Sequence, residues 1–176
     1  MGLRGMTTRA FSLLEVTVVI VIVGILAIGV IPALGSTAGA RQAAAARETH
    51  RLLTHARTFA MATGQPSGVL ADASTGTLTP VYIPSGSLSV APMRDSTGLA
   101  AESLVLAHSF PGVQMLSCVG GDGSSGLVRL WFSHSGTPQV RDAAGTLTGV
   151  FTQDASVSLT GGFTISVRRV SGLVER

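Results

Sequence analysis

The chain has 176 residues, a formal net charge of +3 and a mean hydropathy of +0.48. That length fits one modest domain together with an anchoring segment. All twelve basic residues are arginines, scattered along the chain, and aromatic residues make up only 5%. Composition therefore gives little support to a nucleic-acid groove, which needs concentrated positive charge and stacking platforms. The single cysteine, Cys118, excludes an intramolecular disulfide and is expected to be a small buried apolar residue.

A short basic leader precedes a long uncharged run. Residues 1–10 carry Arg4 and Arg9 with no acid, and residues 16–34 carry no charge. As a helix, residues 16–34 would rise about 28 Å, which matches a hydrocarbon core of ~30 Å. Because the arginines lie before the run, we expect a cytoplasmic N-terminus and export of the remaining chain.

Three interpretations of this segment remain open. The three interpretations are an ordinary secretory signal, a plain single-pass anchor, and an anchor that also assembles with other subunits. A secretory signal usually has ~7–15 apolar residues, so this run is long for that purpose. Glu15 lies at the front edge of the run, where an acid without a partner is costly and usually marks function. The simpler explanation is that Glu15 marks the membrane boundary, where the helix dipole also favours a carboxylate.

The stretch AFSLLE, from Ala10 to Glu15, is followed by VTVVIVIVGILA. It resembles the cleavage signature of type IV prepilins and pseudopilins. The resemblance implies cleavage between Ala10 and Phe11 by a prepilin peptidase, N-methylation of Phe11, and pairing of Glu15 with a neighbouring subunit's N-terminal amine. The family usually has glycine before the cut, and Ala10 is still small enough for processing. Pro32 fits the family's anchor helix, and because it removes an N–H donor we expect a kink there, unless it simply ends the span.

Residues 41–63 predict an amphipathic helix that continues the first one. Glu48 and Arg51 are spaced for an i,i+3 ion pair. Gly64 followed by Pro66 is a typical helix stop. The apolar stripe recurs at spacings of three and four and consists of Leu52, Ala56, Phe59 and Ala60.

From residue 67 onward, short runs rich in Val, Thr, Leu and Ile alternate with Gly, Ser, Asp and Pro clusters, which predicts an antiparallel sandwich. GVLAD and TLTPVYI flank residues 73–76 and predict a hairpin. Pro80 predicts an edge strand or a bulge. Residues 83–104 are rich in Ser and Gly and predict a long mobile loop. Further strand candidates are SLVLAH, VQMLSCV, LVRLWF, GTLTGVF, ASVSLT and FTISVRRV.

The segments RLLTHARTFAMATGQP, LWFSHSGTP and FTISVRRVSGLV resemble one branch of the pilin superfamily, the GspH/FimT minor pseudopilins. The resemblance implies a structural subunit of a type II secretion pseudopilus or type IV pilus-like filament, acting in protein export or filament initiation. Its partners would be other pseudopilins or pilins. The lack of the C-terminal disulfide common in major pilins fits a minor pseudopilin.

The expected fold is α+β, with a long N-terminal transmembrane helix packed on a C-terminal antiparallel β-sandwich-like domain. It would sit in a bacterial inner membrane as a single-pass protein, with a periplasmic domain that assembles into the pseudopilus or pilus. We expect four segments: a cleaved cytoplasmic leader, the transmembrane and assembly helix, its amphipathic continuation, and a β-rich globular domain. Their bounds are residues 1–10, 11–34, 35–64 and 65–176.

No sequence signature of catalysis is present: G-x-S-x-G, H-E-x-x-H and a Walker loop are all missing. His50 and His55 are five apart, off the i,i+4 spacing of two metal ligands on one helix face, and His108 and His134 are dispersed. We therefore expect no enzyme, no metal and no cofactor. Two alternatives to the filament subunit stay open. One is a secreted soluble protein with an ordinary signal peptide, and the other is a DNA-binding minor pilin that uses Arg141, Arg168 and Arg169.

Overall fold

The structure is a computed structural model that describes residues 13–87, 89–94 and 97–176, with only the backbone described for residues 26–36. It begins with one long helix, α1 (Leu13–Thr63), and continues into a β-rich part. The chain divides into two compact units, Met1–Ala38 and Gly39–Arg176. Every buried apolar residue of the described part belongs to the second unit.

The part of α1 in the second unit is rich in alanine, the best helix former. It ends at Thr63 because Gly64 adopts a φ of +71° and donates its N–H to the carbonyl of Ala60 at 3.0 Å. The predicted helix and its stop are therefore confirmed. Its buried face carries small and branched side chains at helical spacing, namely Ala45, Ala46, Leu52, Leu53, Ala56 and Ala60.

The strands form two antiparallel sheets. The strand bounds are β1 (Ser67–Asp72), β2 (Thr77–Tyr82), β3 (Ala91–Pro92), β4 (Leu104–Val105), β5 (Met115–Val119), β6 (Leu127–Phe132), β7 (Pro138–Arg141), β8 (Leu147–Val150), β9 (Ala155–Leu159), β10 (Phe163–Val167) and β11 (Val174–Glu175). The larger sheet has the order β3-β2-β1-β6-β7-β8, with β4 also paired to β2, and the smaller has the order β11-β10-β9-β5. A single helical turn, α2 (Leu106–Ser109), follows β4.

The main core joins α1 to both sheets. Leu53 of α1, Leu130 of the larger sheet and Ile165 of the smaller one are fully buried in the same cluster. Burial of each such side chain contributes about 1.5–3 kcal/mol. Successive side chains of a strand point to opposite faces, so Trp131, next to Leu130, lies in a separate small cluster with Val81. A helix packed on antiparallel sheets is the predicted α+β arrangement.

Three predictions about local structure are wrong, those for residues 103–108, for residues 83–104 and for Pro80. The strand expected over residues 103–108 stops at Val105, and Phe110 donates to the carbonyl of Leu106 at 2.8 Å to close the turn of α2. The loop expected over residues 83–104 contains β3, and its Met93 is fully buried. In each segment one apolar side chain is fully buried, Leu106 in α2 and Met93 directly after β3.

Pro80 marks neither an edge strand nor a bulge: β3 and β4 both pair with β2 on the side away from β1, and the register of β2 with β1 is continuous through Pro80. The carbonyl of Pro80 accepts a hydrogen bond from the N–H of Met93 at 3.0 Å. The backbone nitrogen of Pro80, which carries no hydrogen, faces the same side as this carbonyl, since a residue's N–H and C=O point together in an antiparallel ladder. The two short strands pair with β2 before and after this position, so the ladder needs no donor there.

Candidate assembly surfaces

The described start of α1, residues 13–25, exposes apolar side chains in every direction and is called the apolar segment below. Its large apolar side chains range from 46% exposed at Val16 to 86% at Leu13. A helix that is apolar all round is normally buried against lipid or other helices, and large exposed apolar patches mark interaction sites. The apolar segment is therefore the first candidate assembly surface.

One carboxylate, that of Glu15, lies within the apolar segment, in the first turn of α1, and it is exposed. A negative charge is favoured at this end of a helix because the first N–H groups lack helical acceptors. Thr17 lies two residues further on and donates its hydroxyl to the carbonyl of Leu13 at 2.9 Å. The Thr17 hydroxyl is thus satisfied within its own helix. Thr17 is therefore a suitable position for a control substitution beside one at Glu15.

The other site residues predicted for this region are not placed. Ala10 and Phe11 lie outside the described residues. At position 32 the backbone is helical and α1 continues through it, but the side chain of Pro32 lies outside the described set, as do those of residues 26–34 of the predicted span. In the part of the chain that the structure describes, no helix offers an apolar stretch of the length that crossing a membrane requires.

A cleft of about 630 Å³ opens on one flank of α1. Glu48 and Arg51 on its helix wall form the predicted i,i+3 pair, with 2.5 Å between Oε1 and Nη2. Their hydrogen bond holds the pKa of Glu48 below its usual value and raises the pKa of Arg51. The opposite wall consists of Pro80 with residues 101–105 and 108–109.

Glu102, on that opposite wall, is exposed and has no such partner. Other described carboxylates of the second unit are engaged: Asp154 accepts from Arg168 and Arg169, and Asp142 accepts from the N–H of Thr146. Among the acids that can be described in this unit, Glu102 is the one without a hydrogen bond or ion pair. The rim of the cleft therefore carries one uncompensated negative charge.

A smaller depression of about 230 Å³, called the basic depression below, is lined by Arg47, His50 and Arg176. The Nε2 of His50 lies 3.1 Å from the carbonyl oxygen of Val174, and because a carbonyl only accepts, Nε2 carries the hydrogen. Arg47 is exposed and bonds to no described residue. The guanidinium of Arg176 lies 6.0 Å from the ring of Phe163. All three side chains that line the depression are basic.

The three arginines proposed to contact DNA are engaged within the protein. Arg168 pairs with Asp154 at 2.8 Å and with Glu175 at 2.7 Å. Arg169 donates to the carbonyl of Thr152 at 3.1 Å. Arg141 donates to the side chain of Gln139 and to the carbonyl of Gly145, and burial lowers its pKa. The structure thus gives these residues structural partners and does not assemble them into a free cationic surface.

Cys118 is buried, as predicted, with 1% of its surface exposed. Its thiol donates to the carbonyl of Gly126 at 2.7 Å, and burial raises its pKa. His55 and His108 both line the cleft, and His50 lines the basic depression. Within the described residues, no group of three or more His, Cys, Asp or Glu side chains is placed to hold a metal ion.

Comparison with known proteins adds a structural likeness. No protein-family model and no curated protein sequence matches the chain. Among solved structures, the chain is similar to the minor pseudopilin EpsH from the Type 2 Secretion System of Vibrio cholerae, with a TM-score of 0.54 and 14% identity. The match covers 77% of this chain and 94% of that chain. The fold is therefore pseudopilin-like, and the predicted α+β class is confirmed.

Proposed function

We propose that this chain is a minor pseudopilin, a structural subunit of a type II secretion pseudopilus or a related type IV pilus-like filament. One observation carries the proposal: in a chain with a pseudopilin-like fold, the start of the long helix is apolar on all sides and exposed over residues 13–25. Such a surface has to be covered by lipid before assembly and by neighbouring helices afterwards. A role in building a filament for protein export or filament initiation follows, and catalysis is not part of it.

The proposal includes a path to the filament. A prepilin peptidase removes residues 1–10 between Ala10 and Phe11, and Phe11 is N-methylated. Residues 11–34 hold the subunit in the bacterial inner membrane, with a helix that kinks at Pro32. Residues 35–64 continue the helix onto the domain formed by residues 65–176, which faces the periplasm. Support for this path is the basic leader, the uncharged run over residues 16–34 and the AFSLLE junction.

Within this proposal, Glu15 pairs with the N-terminal amine of a neighbouring subunit during assembly. Cleavage before Phe11 would create a positive amine four residues from this carboxylate. Opposite charges attract more strongly in a low-dielectric setting than in water, and each left alone there is costly. Mutual neutralisation between subunits would therefore set the register of the packed apolar helices.

Mass spectrometry of the full chain extracted from membranes tests the processing step. We expect methylated Phe11 as the first residue. A mature chain that starts near Arg41 would instead support an ordinary secretory signal and overturn the proposal.

A matched pair of variants tests the assembly step. Glu15→Gln removes the charge and keeps the size, so we expect normal membrane levels and leader cleavage but loss of crosslinks to neighbouring subunits. Thr17→Val is the control, because the Thr17 hydroxyl is already satisfied by Leu13 within its own helix. Undiminished crosslinking of Glu15→Gln, or equal losses in both variants, would contradict the role of Glu15.

The branch assignment is a further part of the proposal. The segments RLLTHARTFAMATGQP and LWFSHSGTP support the GspH/FimT branch, and they occupy the end of α1 and the β6–β7 turn. Arg57 donates to the carbonyls of Gly136 and Ser171, each at 3.1 Å, so it joins the first segment to the second and to the C-terminal turn. These contacts give the three resembling segments a shared structural role in the domain.

A further inference from the structure

The cleft on the flank of α1 has an apolar floor and a charged rim. Leu52 and Pro80 are buried and Leu104 is half-buried, so these apolar side chains form the deeper part of the lining. Glu102 also lines the cleft and is exposed. The volume of about 630 Å³ lies within the range of about 300–1,000 Å³ that is usual for ligand sites. The cleft is therefore large enough to hold more than an ion.

Much of the charge in the lining is already paired, since Glu48 binds Arg51. Three further titratable side chains of the lining form no hydrogen bond with any described residue, namely Glu102, His55 and His108. Glu102 offers a full negative charge, and a neutral imidazole offers one acceptor nitrogen. Within the described residues, no such group is placed to hold a metal ion. An occupant would therefore meet these side chains at separate points, as a peptide segment can.

We propose that the cleft binds an extended segment of another protein through a lysine or arginine side chain of that segment, with Glu102 as the counter-ion. The methylene groups of the bound side chain lie along Leu52, Pro80 and Leu104, and its charged end reaches Glu102. The inference goes beyond the proposed function. It concerns a ligand site within the second unit and holds whether or not the chain enters a filament.

A long basic side chain has the same order of chemistry as the cleft. Lysine and arginine lay an apolar stem along apolar surface and keep the charged end in water. An exposed ion pair contributes little by itself, so the affinity depends on the contact of the stem with the apolar floor as well. The charge of Glu102 then selects a basic side chain over an apolar one of the same length.

The basic side chain is inferred to come from another protein, because this chain is a poor source of one. Its sequence contains no lysine. Six of the described arginines already donate to oxygen atoms of their own chain: Arg51, Arg57, Arg94, Arg141, Arg168 and Arg169.

Titration of the full chain with a defined peptide tests the proposal. The probe is the pentapeptide GSKSG with both termini blocked, so that its lysine carries the only charge. The 15N-labelled chain is held in phosphatidylcholine nanodiscs, and the backbone amide signals of Ser103 and Leu104, which line the cleft, are followed by NMR. We expect these signals to shift and to saturate as peptide is added.

Two altered peptides separate the charge from the stem. Norleucine in place of lysine keeps the length and removes the charge, and it should bind about fivefold more weakly. Diaminobutyrate in place of lysine keeps the charge on a shorter stem, and it should also bind several-fold more weakly because it covers less of the apolar floor.

A matched pair of variants assigns the charge effect to one carboxylate. Glu102→Gln should weaken binding of the lysine peptide about fivefold. Asp142→Asn removes the same charge at an exposed position that does not line the cleft, and its amide oxygen can still accept from the N–H of Thr146. Binding to Asp142→Asn should therefore stay within about twofold of the unchanged chain.

Four results would each overturn the proposal. They are the absence of saturable shifts at Ser103 and Leu104, equal affinity of Glu102→Gln and the unchanged chain, equal losses in Glu102→Gln and Asp142→Asn, and equal affinity for the lysine peptide and either altered peptide.

Discussion

Alanine at Gly121 should destabilise the second unit, because the loop between β5 and β6 packs directly on an aromatic ring. An added Cβ would overlap Cγ, Cδ1 and Cδ2 of Phe151, whose side chain is 6% exposed and belongs to the main core. The backbone of Gly121 is not free to retreat. Its carbonyl accepts from the N–H of Thr152 at 2.8 Å and from the N–H of Gln153 at 3.1 Å.

The size of the effect follows from these contacts. Overpacking of a well-packed site costs about 1–3 kcal/mol, and relief by movement would stretch two hydrogen bonds of about 1 kcal/mol each. We therefore expect Gly121→Ala to lower the free energy of unfolding by about 2–3 kcal/mol. Gly149→Ala is the matched control, because no heavy atom lies within 4 Å of its added Cβ. At such an open strand position the same change should stay within about 0.5 kcal/mol.

Urea unfolding of residues 39–176 measures both variants, with fluorescence of the single tryptophan, Trp131, as the signal, since it is 1% exposed in the folded unit. Phe151→Leu in the Gly121→Ala background should recover part of the loss, because the clash is specific to the ring. Additive losses in the double variant, or a Gly121→Ala midpoint equal to that of Gly149→Ala, would refute the packing argument.

Three further predictions concern thiol reactivity, acid stability and DNA. Native Cys118 should react with iodoacetamide many times more slowly than the urea-unfolded thiol, because burial raises its pKa; equal rates would contradict its placement. Since the pKa of Glu48 is lowered in the folded unit, the pairing of Glu48 with Arg51 stabilises the fold above pH ~4. This stabilisation is lost as the pH falls further. On acidification, the free energy of unfolding of Glu48→Gln should fall by about 0.3–0.5 kcal/mol less than that of the unchanged chain. Parallel curves of unfolding free energy against pH for the two proteins would contradict this. Finally, residues 39–176 should not retain duplex DNA at low ionic strength.

Local rules were sufficient for much of the fold. The hairpin at residues 73–76 was predictable because Asp72 and Gly76 carry its turn chemistry: Oδ1 of Asp72 accepts from the N–H of Ser74 at 2.9 Å, and Gly76 has a φ of +64°. The pair of Glu48 and Arg51 depends on one turn of helix and was predictable for the same reason. Such features are set by neighbours in sequence.

Features that depend on distant packing were missed. Strand β7 was not predicted, since its sequence, PQVR, lacks an apolar run and it is paired between β6 and β8. The basic depression exists because Val174, 124 positions after His50, docks against α1. The sequence pattern around Arg47 cannot reveal that Arg176 will lie beside it. Nor does the sequence reveal that Glu102 differs from the other described acids of the second unit, which have hydrogen-bond or ion-pair partners.

The hydrogen bonds and ion pairs of the arginines also lead to a prediction about DNA binding. For Arg168 to contact a phosphate it would have to give up Asp154 and Glu175, so its charge is already balanced before any ligand arrives. Non-specific DNA binding depends on neutralising several phosphates at once and weakens steeply with salt. We therefore expect no duplex retention by residues 39–176 in a gel-shift assay at low salt, and no effect of Arg168→Ala. Retention that falls steeply with salt and disappears in Arg168→Ala would show that these pairs open to bind phosphate, and would favour a role in DNA uptake.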